Sequence, residues 1–96
     1  MELVNFARFH AREGKEAAVA AALAEQVPRV LTEPGCLAMS IYRAVRDPRL
    51  FFLQSRWVDE PAFQVHADLP STVGFVERMG ALIDHPFDSN RTRVIA

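Results

Sequence analysis

His66 is the side chain best suited to chemistry in this sequence. It follows Trp57 by nine positions and falls late in a short predicted helix. A histidine titrates near neutrality and can take or give a proton. The same residue could instead cap its helix or bond Asp59 or Asp68. Asn5 is the second candidate. It falls on the strand face assigned to the helices, where an amide must find hydrogen bonds. It could orient a carbonyl or hydroxyl of a ligand, or satisfy a backbone group near a sheet edge. Trp57 ends a strand, and its indole could wall a pocket for a flat ring or anchor the core with its N–H satisfied. Phe75 and Met79, four apart, form an apolar stripe with Leu82 and Ile83, which is helical spacing. Such a stripe is core, and it could also line a cavity.

Other motifs point away from common chemistries. His10, His66 and His85 show no metal-ligand spacing, and the single cysteine, Cys36, has no cluster around it. The four glycines are isolated, so no phosphate-cradling loop is expected. No serine elbow is present. Cys36 has no basic partner nearby in sequence to stabilise a thiolate. Arg56 could meet an anion or join an ion pair. Arg43, Arg46 and Arg49 read as a solvated turn.

The elements that must position these residues follow from patterning. Leu3 to Ala11 reads as a strand with faces Leu3, Asn5, Ala7, Phe9 and Val4, Phe6, Arg8, His10. After Gly14, Lys15 to about Leu31 has helical periodicity, with Pro28 disturbing the last turn. Glu33-Pro34-Gly35 is a stop signal. Cys36 to Ala44 is a second strand, with Leu37, Met39 and Ile41 opposed to Ala38, Ser40 and Tyr42. A turn at Arg46 to Arg49 leads to a third strand, Leu50 to Val58. Asp59 caps a short helix over Pro61 to Ala67, and Ser71 is expected to cap a longer one to about Ile83. Gly74 and Gly80 weaken that helix unless something packs closely against them. Arg91 to Ala96 is expected to be the last strand.

The order β-α-β-β-α-α-β is the α+β, ferredoxin-like plan with an antiparallel sheet. The chain has 96 residues, 50% hydrophobic and 24% charged, with a formal net charge of −1. One domain over residues 1–96 fits that length. The charge balance argues against nucleic acid as a partner. No apolar run approaches the ~20 residues of a membrane span, and the N-terminus does not read as a signal peptide, so a cytoplasmic protein is expected. Helices cover one sheet face, and nothing in the chain covers the apolar residues of the other. A homodimer packed sheet to sheet is therefore expected.

Three patches resemble the antibiotic biosynthesis monooxygenase family, whose members form dimeric α+β barrels. The first is strand one running into Gly14-Lys15-Glu16 and an alanine-rich helix. The second is Val27 to Cys36, with its Glu-Pro-Gly-Cys ending. The third runs from Phe52 to His66, an aromatic strand ending in Trp57 and followed by Ala62-Phe63 and His66, with Leu69-Pro70-Ser71 after it. The resemblance implies oxygenation of a small aromatic phenol or quinol with molecular oxygen as co-substrate and no metal or flavin cofactor. On that reading His66 is the acid/base, Asn5 a polar anchor, and Trp57, Phe75 and Met79 apolar walls. A non-catalytic binding or stress-response barrel and a small-carbonyl isomerase are the alternatives. Two departures stand out. Family members often carry glutamate where this chain has Ser55. The haem-degrading branch uses Asn, Trp and His at positions aligned with Ala7, His66 and Val76, so haem is disfavoured.

Overall fold

The computed structural model describes residues 1–96. Its elements are β1 (Leu3–His10), α1 (Glu16–Val30), β2 (Cys36–Arg43), β3 (Leu50–Trp57), α2 (Glu60–Asp68), α3 (Pro70–Gly80) and β4 (Asp88–Thr92). The strands form one antiparallel sheet in the order β2-β3-β1-β4. This is the expected ferredoxin-like α+β plan.

Alternation places the faces of β1 as expected. Leu3, Asn5, Ala7 and Phe9 are buried under the helices, while Phe6 is about half exposed on the other side. On β3, Phe51, Leu53, Ser55 and Trp57 point inward, and Phe52 and Arg56 point out. β2 departs from simple alternation. Cys36 pairs with Trp57 and Ala38 with Arg56, so Leu37 is the extra residue of a bulge. Cys36 therefore shares the inner face with Met39 and Ile41, and Leu37, set with those two by simple alternation, is exposed.

α1 ends close to where expected and holds Pro28 within its last turn. α2 starts as predicted, with the Asp59 carboxylate accepting from the Ala62 backbone N–H at 2.9 Å. α3 starts one residue before Ser71, which lies inside the first turn and caps nothing. Pro70 opens the helix because its missing N–H would be unpaired there in any case. α3 stops at Gly80, not Ile83. Beyond it Arg12 N–H donates to the Leu82 carbonyl and Asp84 N–H to the His10 carbonyl, drawing the chain onto the end of β1. Neither Gly74 nor Gly80 is a close-packing point, since an added Cβ would meet nothing closer than 3.6 Å.

The last strand is shifted. It covers Asp88 to Thr92 rather than Arg91 to Ala96, because its partner sets its extent. Val4 pairs with Thr92 and Arg8 with Asp88, so residues beyond 93 run past the start of β1 and have no ladder to join. Val94 and Ile95, good strand formers, are exposed there.

Two apolar clusters make the core. One gathers Phe9, Leu23, Phe51, Leu53, Phe75 and Met79 between sheet, α1 and α3. The other joins Leu3, Val30, Trp57 and Phe63 under α2. The opposite sheet face carries Phe6, Phe52 and Tyr42, all more than a third exposed, with the ion pairs Arg8–Asp88 and Arg56–Glu2 at its margins. No helix is long and apolar enough to cross a membrane.

Candidate functional site

A cavity of about 340 Å³ opens where the two apolar clusters fail to meet. Its floor is the sheet. In ladder register, Met39 lies opposite Ser55, Ser55 opposite Asn5, and Asn5 opposite Arg91. These four residues come from four strands, and all face the cavity. The next row supplies Leu53, Ala7 and Ser89. The roof and sides come from the helices and the segment before β4: Gln26 and Val30 of α1, Phe63 and His66 of α2, Thr72 and Phe75 of α3, and Phe87.

The structure brings His66, Asn5 and Phe75 together on this cavity. Asn5 is buried, and its amide and the Ser89 hydroxyl bond each other at 3.1 and 3.2 Å. It therefore ties β1 to the edge strand and also faces the cavity. Phe75 meets Phe9 edge to face, while Phe87 stacks on Phe9 at 4.7 Å between centroids.

Trp57 and Met79 sit elsewhere. Both are fully buried, and neither reaches the cavity wall. Met79 is a core residue one helical turn beyond Phe75. Trp57 donates its indole N–H to the Ser55 hydroxyl at 3.0 Å, and its ring backs the imidazole of His66 at 4.8 Å. It supports the site from behind.

His66 bonds neither Asp59 nor Asp68. Its Nδ1 lies 2.7 Å from Oε1 of Glu33, with both side chains less than 15% exposed. Thr72 Oγ1 approaches the same nitrogen at 3.4 Å, and Nε2 has no protein partner. Gly35 makes this meeting possible. Its φ is +84°, and a Cβ added there would stand 2.6 Å from Cβ of Ala62. With glycine, the turn after α1 packs directly on α2 and brings Glu33 to His66.

Arg91 stands at the rim. Its guanidinium donates to Glu60 at 3.0 Å and Gln64 at 2.8 Å, and lies over the Phe63 ring at 4.9 Å. It joins β4 to α2. Arg29 bonds the Gln26 side-chain oxygen and so fixes that amide on the wall. Glu33, Gln26, Thr72, Phe87, Ser89 and Arg91 escaped the sequence reading. Glu33 was visible there only as part of a turn signal, and Arg91 only as a strand residue.

Two further expectations are settled by geometry. Arg56 joins the ion pair with Glu2 and faces away from the cavity. Arg49 is more than a solvated turn residue, since it donates to the Ala11 carbonyl at 2.8 Å and to Asp84 at 3.3 Å. Burial pushes the Cys36 thiol up, away from the thiolate.

Sheet order and helix layer define a ferredoxin-like α+β protein with an apolar cavity between sheet and helices. The sequence model for "Antibiotic biosynthesis monooxygenase" matches residues 3–78, and the chain belongs to that family. Among solved structures it is similar to Rv0793 from Mycobacterium tuberculosis, with 21% identity, coverage of 100% of this chain and 97% of that one, and a TM-score of 0.92. SO0527 from Shewanella oneidensis is 29% identical, with coverage of 99% and 93% and a TM-score of 0.91. A structure described as an antibiotic biosynthesis monooxygenase is 20% identical, with coverage of 98% and 99% and a TM-score of 0.88. These likenesses concern the fold. No curated protein matches the chain. Ala7, His66 and Val76 all line the cavity.

Proposed function

We propose that this protein is a monooxygenase that acts on a small aromatic phenol or quinol without metal or flavin, as a cytoplasmic homodimer. The observation that carries the reading is His66 on the wall of an apolar cavity, with Nε2 free of any protein partner. Family membership supports the reaction class. The exposed Phe6, Phe52 and Tyr42 on the uncovered sheet face support the dimer.

In this reading the ring lies among Phe63, Phe75 and Phe87, and Asn5 holds a substrate oxygen. His66 Nε2 takes the phenolic proton. The electron-rich anion reduces dioxygen by one electron, and the two radicals combine at the ring carbon para to the oxygen. The resulting peroxide takes a proton from His66. His66 then removes the hydrogen at that carbon as a proton. The electron pair left behind forms a second carbonyl as the O–O bond breaks, and hydroxide leaves as water with a proton from His66. For a naphthol, the sum is naphthol plus dioxygen giving naphthoquinone plus water. The substrate supplies all the electrons.

The test is oxygen uptake over a panel of naphthols, hydroquinones and anthrone-like phenols, with no added metal or flavin. Uptake above autoxidation that is lost in His66→Ala is the expected result. Turnover that persists without oxygen would indicate an isomerase. Ligand-induced thermal stabilisation without turnover would indicate a binding protein.

A further inference from the structure

Glu33 and His66 are 33 positions apart and meet across the Gly35–Ala62 contact. Glu33 does not line the cavity, so it does not reach a bound ligand. An ionised carboxylate can only accept a hydrogen bond. At 2.7 Å from Nδ1, it requires the imidazole proton on that nitrogen. Trp57 and Phe63 flank the ring at 4.8 and 5.6 Å and limit its rotation. Ser55 accepts from the indole of Trp57, and Glu33 is the carboxylate in contact with His66.

We propose that Glu33 is a positioning residue that holds His66 as its Nδ1–H tautomer, so that the Nε2 lone pair is what the cavity presents to a ligand. A neutral His66 in this state accepts from a ligand O–H and has nothing to donate from Nε2. The catalytic consequence rests on the function proposed above. The tautomer and the ligand preference do not.

The experiment is imidazole nitrogen NMR of His66 in the wild-type protein, Glu33→Gln and Glu33→Ala. It is joined to amide-shift titrations with naphthol and with methoxynaphthalene, which has the same ring and no O–H. In the wild type, the neutral ring is expected to carry its proton on Nδ1, and naphthol to bind about tenfold more tightly than the ether, as one hydrogen bond allows. Glutamine can either accept from Nδ1 or donate to it, so Glu33→Gln is expected to show mixed tautomers and to lose most of that preference. An Nε2–H tautomer in the wild type overturns the proposal, and that measurement needs no variant to fold. An unchanged tautomer and preference in both variants overturn it as well. If oxygen uptake fails while the Nδ1–H state and the naphthol preference hold, the oxygenase reading falls and this one stands.

Discussion

His10 Nδ1 lies 2.6 Å from Asp84 across 74 positions of chain, and its Nε2 lies 3.2 Å from Asp47. One imidazole thus joins the end of β1 to the β2–β3 turn and to the segment leading to β4. Arg49 reaches the same Asp84, and His85 bonds its other oxygen. The hydrogen bond to Asp84, first among several contributions, holds the His10 pKa above its ordinary value of 6.5. The Arg49 backbone N–H, and then His10, lower Asp47, and His10 lowers Asp84.

The sign of the pH dependence follows. A raised histidine pKa stabilises the fold fully below its ordinary value, and the effect is lost as pH rises through the folded value. Lowered carboxylate pKa values stabilise above the ordinary value of 3.8, and the effect is lost as pH falls through the folded ones. The cluster therefore contributes most between pH 3.8 and 6.5. Thermal melts across pH should show the alkaline side of this window flattened in His10→Gln. A wild-type melting temperature that does not fall on that side would remove the argument.

Gly35→Ala should be costly for its size. The left-handed backbone alone costs an alanine about 1–2 kcal/mol, and its Cβ would collide with Ala62. Urea unfolding should show at least that loss. His66 NMR should show its contact with Glu33 disturbed, because the same turn carries both residues. A neutral effect would mean that α2 can back away freely.

Phe75 and Met79 separate wall from core. Met79→Ala should destabilise by about 2–5 kcal/mol and leave ligand preference unchanged. Phe75→Ala should cost about 3–5 kcal/mol and also shift preference toward larger ring systems. Unfolding curves paired with ligand titrations make the comparison. Equal effects of the two changes on ligand size would contradict the depth assigned to Met79.

The uncovered sheet face has its own test. Light scattering should give a mass of twice 10.8 kDa for the wild type. Phe6→Asp, which buries a charge in the proposed contact, should shift it toward the monomer at micromolar concentration. A wild-type mass equal to one chain would end the dimer proposal.

The parts of the fold that were legible in the sequence are those that local rules decide. Two-residue alternation gave the faces of β1, including the inward amide of Asn5. Asp59 capped its helix where the Asp-Glu-Pro run says it should. Ser71 failed as a cap for a local reason, because Pro70 opens the helix; elsewhere a distant partner overrode local propensity. β4 ends where β1 gives out, not where Val94 and Ile95 would extend it. Leu37 left the inner face because the bulge on β2 let Cys36 in. The site was half visible. His66, Asn5 and Phe75 could be picked by type and face, but whether a residue walls a cavity or sits behind the wall depends on depth below the surface, which periodicity does not carry. That is why Trp57 and Met79 looked the same as Phe75. Glu33 was marked only as part of a turn, since its partner is 33 positions away.

The floor row of Met39, Ser55, Asn5 and Arg91 has a consequence for how such a protein acquires new ligands. Each residue comes from a different strand, and the backbone ladder, not side-chain packing, keeps the four in line. A new side chain at one position changes the cavity floor while the ladder holds the other three in place, at the cost of that residue's own bonds, such as that of Ser55 to the Trp57 indole, whereas a slip of any strand by one residue would turn its floor residue to the far side of the sheet. Single substitutions in that row therefore leave the register intact, whereas an inserted residue must be taken up in a bulge, as Leu37 is on β2, or it turns the rest of its strand over.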